Sequence, residues 1–276
     1  MAIRDYGVIS FLFWNLNKKN LSKVIENLAH EYNIDVLIFA ECTTSPDAIL
    51  TDLNREKVEY HYAPGICTKI QIFTRFSRQY IEPIHEADRM TIRHLRLPGL
   101  IDILLAVNHF PSKLHWREDS QAFECTVLAD MIGMAEKNIG HSRTVLIGDL
   151  NMNPFENGVI SAKGLHGVMS RQIAERQTRI VQKREYQFFY NPMWGLLGDS
   201  TPGPPGTYYY SQAEHKVYFW NMFDQVLIRP QLLNRFKNSD LTIVHSCGEF
   251  SFLSKNGTPD SSIASDHLPV VFRLNL

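Results

Sequence analysis

With 276 residues, 44% of them hydrophobic, the chain is long enough for one large, well-buried α/β domain. Its 28 basic and 29 acidic residues nearly cancel, so no global field drives it onto nucleic acid or membrane, and any polyanion site must be a local patch. Four cysteines without a C-x-x-C pair, no signal-like N-terminus and no run of transmembrane length argue against a disulfide framework, a zinc site and a membrane partner; a soluble cytoplasmic protein is expected.

Residues 8–16 (VISFLFWNL) read as a buried strand that presents Asn15 and Asn17 at its end. Residues 21–30 have apolar positions at helical spacing, with Asn20 placed to cap them. Val36–Ala40 is the next strand and delivers Glu41. This β-α-β order predicts two parallel neighbours joined by a right-handed crossover. Pro46–Leu53 reads as a short helix, and residues 60–63, 69–75 and 90–97 as antiparallel strands. Residues 101–110 form a long apolar strand ending in Asn108 and His109. Residues 120–137 make the clearest amphipathic helix, with Phe123, Val127, Leu128, Met131, Ile132 and Ala135 on its apolar face. Then comes VLIGDLNMN (145–153): a central strand, a sharp turn at Gly148, and Asp149 and Asn151 beyond it.

From 157 to 221 the periodicity fades, which marks an insert within a single domain spanning 1–276. Residues 170–185 predict a basic helix with Arg176, Arg179 and Lys183 along one face and Arg171 and Arg184 nearby. Tyr186, Phe188, Phe189, Tyr190 and Trp194 follow. They either stack on bases while the arginines hold phosphates, or plug a small core. The Pro/Gly-rich loop 201–206 reads as a rigid connection, and His115, Trp116 and Arg117 as a second substrate loop. Strands resume at 223–228, 241–244 and 270–274. Two strand-helix-strand halves closed by antiparallel strands predict two mixed sheets packed face to face with helices outside.

Strand ends in this chain repeatedly carry polar groups: Asn15, Glu41, His109, Asp149 with Asn151, and Asp266 with His267, while Asp224 starts a further apolar strand. Each has a structural reading alone, Glu41 as a helix-terminal charge, His109 as a satisfied edge histidine, Asp266 as a turn cap. Charges are costly beside apolar strands unless something there needs them, and the set as a whole points to chemistry. Carboxylates and amides make a hard oxygen site suited to Mg²⁺, and cysteine ligands are absent, which disfavours zinc. Two histidines beside carboxylates can move protons near neutral pH. Those are the requirements for hydrolysing a phosphodiester.

The ordered motifs WN (14–15), E after VLIFA (41), NH (108–109), GDLN (148–151), FDQV (223–226) and SDH (265–267) resemble the endonuclease/exonuclease/phosphatase superfamily. Deoxyribonuclease I and the apurinic endonucleases belong to it. The resemblance covers the chain apart from 157–221 and implies a four-layer α/β sandwich with its site at the top of two central sheets. It implies Glu41 as the main ligand of a divalent cation, normally Mg²⁺ with Mn²⁺ as a substitute, with Asn15 beside it and Asp266 as a second carboxylate. Asp149 would orient or deprotonate the attacking water, and Asn151 would bond a phosphate oxygen. His267, held by Asp224, would contact the scissile phosphate, and His109 would protonate the leaving oxygen.

The chain departs from the family pattern in three places. Asn17 stands where many apurinic endonucleases carry an acid. The strand aligned beside His109, at 67–75, has no acidic partner for it. Gln225 replaces the arginine of the inositol-phosphatase branch, which counts against a phosphoinositide. The expected function is Mg²⁺-dependent hydrolysis of DNA or RNA phosphodiesters, with Arg176, Arg179 and Lys183 binding substrate. The alternatives are a phosphoesterase for small-molecule or lipid phosphates, and a catalytically silent binding module.

Overall fold

The computed structural model describes residues 7–57, 59–113, 116–213 and 215–276, so His115 lies outside the described residues. In chain order the first half comprises β1 (Val8–Asn15), α1 (Ser22–Glu31), β2 (Val36–Ala40), α2 (Pro46–Leu53), β3 (His61–Tyr62), β4 (Ile70–Thr74), β5 (Ile81–Ala87), β6 (Met90–Leu95), β7 (Ile103–His109), α3 (Glu118–Ile139) and β8 (Thr144–Asp149). There follow α4 (Asn157–Ile160), β9 (Gly167–Val168), α5 (Arg171–Ala174), β10 (Thr178–Val181), β11 (Arg184–Gln187), β12 (Phe189–Tyr190), β13 (Tyr208–Tyr210) and β14 (Phe219–Asn221). The chain closes with β15 (Asp224–Ile228), β16 (Leu241–Ile243), β17 (Ser246–Cys247), β18 (Phe250–Ser251) and β19 (Val270–Asn275).

Two sheets dominate: a six-stranded one in the order β16-β19-β1-β2-β4-β3, and a seven-stranded one in the order β5-β6-β7-β8-β15-β12-β9. Both are mixed. β1 pairs parallel with β2, as the β-α-β order requires, and β7 with β8, while β19, β4 and β15 join them antiparallel. Alternation of side chains along each strand assigns the layers. On β7, Ile103, Leu105 and Val107 enter the core shared by the two sheets, whereas Leu104 and Ala106 pack with Leu128 and Ile132 of α3. Ile25 and Leu28 of α1, with Ile49 and Leu53 of α2, pack with the six-stranded sheet. The result is the expected four-layer sandwich.

Several local expectations need correction. Gly148 is no turn; it lies inside β8, paired with Asn108 on one side and Gln225 on the other. A Cβ there would stand 1.9 Å from the Asn108 carbonyl oxygen, so the close approach of β7 requires glycine. On α3, Phe123 is 64% exposed, and the buried stripe runs instead through Gln121, Cys125, Leu128, Ile132 and Ala135. Gln121 belongs there because its amide donates to Pro111 O and Asn151 O, bracing the loop after β8. β5 escapes a pattern reading because it is an edge strand with Pro83 and a register shift between Pro83 and His85.

The basic helix at 170–185 does not form. Only Arg171–Ala174 is helical, and β10 and β11 pair as an antiparallel hairpin. Gln182 and Lys183 turn it with φ of 48° and 66°, the doubly left-handed turn that matches strand twist. β-branched Thr178, Ile180 and Val181 favour this over a helix. Arg176, Arg179 and Lys183 therefore share no helical face. Phe188, Phe189 and Tyr190 are buried, so these three plug a core. Arg171 is structural: it donates to Leu233 O and Phe236 O with its guanidinium 5.0 Å from the Tyr190 ring centre. The four cysteines are unpaired, and no described helix is long and apolar enough to cross a membrane.

Candidate active site

Sheet register brings the predicted residues together. Asp149 lies opposite His109 on β7 and opposite Asp224 on β15, and alternation turns all three toward the interface of the sheets. A one-residue slip of either pairing would send its partner to the other face. From the facing sheet, Asn15 ends β1 beside Ala40, and Glu41 follows at once. Asp266 and His267 arrive on the segment before β19. That segment is pinned where Ser265 Oγ donates to Asn15 O at 2.6 Å and Trp14 Nε1 to His267 O at 2.8 Å. Asn15, Glu41, Asp149, Asn151, Asp266 and His267 line one cavity of about 470 Å³, with His109 and Asp224 bonded to residues that line it.

Asp149 is the hub. Its Oδ2 accepts from Asn15 Nδ2 at 2.9 Å, and its Oδ1 accepts from the Asn151 backbone N–H at 2.9 Å. Two imidazole Nε2 atoms flank Oδ2, His109 at 3.8 Å and His267 at 3.9 Å. Asn151 Nδ2 donates to Phe110 O at 2.9 Å, which fixes the amide plane. His267 Nδ1 meets Asp224 Oδ2 at 2.8 Å, and the Asp224 N–H is held by Thr207 Oγ1 at 3.1 Å. Burial pushes the pKa of Asp224 up, opposed by His267. Burial alone would lower His267, but Asp224, Asp149 and Asp266 overcome it and push its pKa up to about 10. The shared proton therefore sits on His267 through the neutral range.

His109 has an acidic partner after all, supplied by Glu41 at 3.3 Å rather than by the strand at 67–75. A hydrogen bond from His109 holds the Glu41 carboxyl down at about 2 against the opposing effect of burial, helped by Asn15. Glu41 is thus ionised at any working pH. The backbone here is unusual: Asn17, Lys18, Glu41 and Asn151 all have φ between 45° and 59°, a region that non-glycine residues rarely adopt. Such strain persists where surrounding structure over-determines it, often at a functional site.

The donor set fits a hard divalent cation. Glu41 and Asp266 offer carboxylate oxygens to the cavity, with the Asn15 amide, oriented by Asp149 and by the Asn17 N–H at 3.0 Å, beside them. Asp149, Asp224 and His267 also place ligand atoms within 4.8 Å of one another. There the Asp224–His267 hydrogen bond already occupies the facing atoms, which makes that trio a proton-holding pair rather than a cation cage. Lining residues that the sequence did not single out are Tyr208, Tyr210, Lys113, Lys216, Tyr218 and Phe223. The Tyr208 ring lies 4.8 Å from His267 and 5.3 Å from Phe223. The run of three tyrosines at 208–210 is a sequence signal for Tyr208 and Tyr210 alone. Trp116 and Arg117 do not line the cavity, although Lys113 and Glu118 on either side do. Arg176 and Arg179 line a different cavity.

A second histidine–carboxylate group, His94, Asp102 and His141, sits at the opposite end of the seven-stranded sheet, before β7 and β8 begin. Asp102 Oδ2 meets both Nε2 atoms, at 2.7 and 3.0 Å, and Oδ1 takes Arg143. The Arg143 N–H donates to His141 Nδ1 at 3.1 Å, so the His141 proton is on Nε2 and no lone pair remains there for a cation.

This four-layer sandwich is a fold also found in solved structures of endonuclease/exonuclease/phosphatase proteins. Among solved structures, the chain is similar to D. rerio TDP2 complexed with single-strand DNA product, at 14% identity and a TM-score of 0.55, covering 98% of this chain and 99% of that one. It is also similar to the endonuclease domain of TRAS1, a telomere-specific non-LTR retrotransposon, at 12% identity and a TM-score of 0.52, covering 97% and 99%. An endonuclease/exonuclease/phosphatase family protein from Bacteroides thetaiotaomicron matches at 14% identity and a TM-score of 0.54, covering 97% of each chain. No family model and no curated protein matches the sequence.

Proposed function

We propose that this chain is a divalent-metal-dependent phosphodiesterase, most specifically a nuclease acting on DNA or RNA, with residues 1–276 forming one catalytic domain. The observation that carries it is the placement of Asp149 between two imidazoles, in a cleft where Glu41 and Asp266 present further oxygens. Glu41, Asp266 and Asn15 would hold Mg²⁺, for which Mn²⁺ could substitute. When bound, the ion supplies charge neutralisation at the phosphoryl oxygens. Asp149, with both oxygens anchored, orients the attacking water and accepts its proton. The second N–H of the Asn151 amide and the His267 imidazolium bind non-bridging phosphate oxygens, where negative charge builds in the transition state. His109 passes to the leaving oxygen the Nε2 proton that it otherwise shares with Glu41. Arg176, Arg179 and Lys183 contribute local positive charge for a polyanion that the near-neutral chain does not attract globally. The unpaired cysteines support a cytoplasmic setting. Incubation with Mg²⁺ and a panel of single- and double-stranded DNA, RNA and simple phosphoesters tests the assignment. Hydrolysis of nucleic acid that disappears in Glu41→Ala supports it; turnover of phosphomonoesters alone would replace it with a phosphatase.

A further inference from the structure

Outside the cleft, a cavity of about 590 Å³ opens between the β10–β11 hairpin and Trp194. Its walls are largely apolar, lined by Phe188 and Trp194 together with Ile160, Met169 and Ile173. Those three aliphatic residues are 42%, 59% and 39% exposed, an unusual cost for a wall that nothing covers. Arg176 and Arg179 also line it, and among the described residues no carboxylate does. Both guanidiniums are exposed, and no hydrogen bond or ion pair among the described residues occupies either. Arg93, Arg143, Arg171 and Arg229, by contrast, are all bonded to acceptors of this chain.

Two buried polar atoms of lining residues also lack partners: His166 Nε2 and Trp194 Nε1. His166 is only 2% exposed, and its Nδ1 donates to Gln187 O at 3.1 Å. Burial lowers its pKa, so the ring is neutral and Nε2 remains an acceptor. Trp194 Nε1 is a donor. An unsatisfied acceptor and an unsatisfied donor among its lining residues match the edge of a nucleobase, which mixes the same two functions. Packed aromatic rings link the wall of this cavity to the catalytic cleft. The Trp194 ring lies 6.2 Å from Phe155, Phe155 lies 5.2 Å from Tyr218, and Tyr218 lines the cleft with Lys216 5.6 Å from its ring centre. Aromatic faces interleaved with cations are how single strands are tracked.

We propose that this cavity is a subsite for one nucleotide of a single-stranded stretch of substrate, its base edge toward His166 and Trp194 and its phosphate on Arg176 and Arg179. The proposal rests on the nuclease reading of the cleft and adds the strandedness of its substrate. A duplex offers no such base unless one is flipped out at a cost in pairing and stacking.

The test uses the full chain and a fluorescent dodecathymidylate, read by anisotropy in EDTA and by steady-state kinetics in Mg²⁺. Arg176→Glu with Arg179→Glu, both on the surface, should weaken binding by roughly tenfold or more and flatten its salt dependence by about 0.7 per lost phosphate contact. KM for the thymidylate should rise with kcat retained, by a much larger factor than any change on bis-p-nitrophenyl phosphate. Trp194→Phe keeps the ring and loses the donor, so a smaller loss of affinity is expected. A dodecamer carrying abasic sites should bind the wild type as weakly as the thymidylate binds the double variant. Unchanged affinity and salt slope in the double variant would overturn the subsite, as would an equal loss on bis-p-nitrophenyl phosphate. If no phosphodiester is cleaved, the nuclease reading falls. The anisotropy arm still decides the subsite, supporting it by a selective loss and overturning it by none.

Discussion

At one end of the seven-stranded sheet Asp149 lies between His109 and His267; at the other, Asp102 lies between His94 and His141. The residue types are the same, and the difference is in which atoms remain available. Both histidines at the far end donate Nε2–H to Asp102 at hydrogen-bond distance, and Arg143 closes the remaining carboxylate oxygen and the His141 Nδ1. Beside Asp149, the two Nε2 atoms stand at 3.8 and 3.9 Å, beyond a hydrogen bond; His267 lines the cavity with Glu41 and Asp266, while His109 Nε2 is shared with Glu41 at 3.3 Å. A closed cluster ties elements together. An open one, held in place by groups behind it, can do work on a ligand.

The comparison breaks most sharply by mutation. Glu41→Ala or Asp149→Ala should abolish hydrolysis while circular dichroism stays native, whereas Asp102→Ala should lower the melting temperature and leave kcat near wild type. Activity lost in all three would remove the distinction. Within the open cluster, His267→Ala should cost more than His109→Ala, in the range of about 10²–10⁴-fold for the larger. His267 is buried and oriented by a fully buried Asp224 at 2.8 Å, whereas the His109 partner is the partly exposed Glu41 at 3.3 Å. Single-turnover rates of the two variants rank them, and a larger loss at His109 would reverse the assignment.

A smaller effect concerns pH. Burial would raise the Asp102 pKa, but hydrogen bonds from His94, His141 and Arg143 overcome it and hold the carboxyl well below its ordinary value. A carboxyl whose folded pKa is depressed stabilises the fold above its unfolded value near 4, and that stability is lost as pH falls toward the folded value. Burial also lowers the His141 pKa, so its contribution is present above about 6.5 and fades as the pH drops below that. Urea midpoints of the wild type should therefore fall on acidification more steeply than those of Asp102→Asn. Parallel slopes would show that the far cluster does not support the fold.

Much of the candidate site was legible in sequence because period-2 strands encode which face a residue takes. VLIFA followed by Glu41, and VLIG followed by Asp149, deliver carboxylates where apolar runs stop. The meaning of Gly148 was hidden, since the close approach of Asn108 comes from a strand forty residues away in sequence. The acid partner of His109 was hidden for the same reason: Glu41 crosses from the facing sheet. In the 157–221 insert, the basic residues at 170–185 mimicked a helical face, while two left-handed turn residues and β-branched neighbours settled a hairpin. Tyr208 reaches His267 through an isolated antiparallel bridge between those two residues, which no local pattern announces.

The open cluster is tested most directly by stripping the protein with EDTA, titrating Mg²⁺, and following bis-p-nitrophenyl phosphate in wild type and Asp149→Ala. The expected result is saturable, Mg²⁺-dependent hydrolysis in the wild type and a loss of at least about 100-fold in the variant, with the fold intact. Undiminished hydrolysis in excess EDTA, or a wild-type rate in Asp149→Ala, would contradict it.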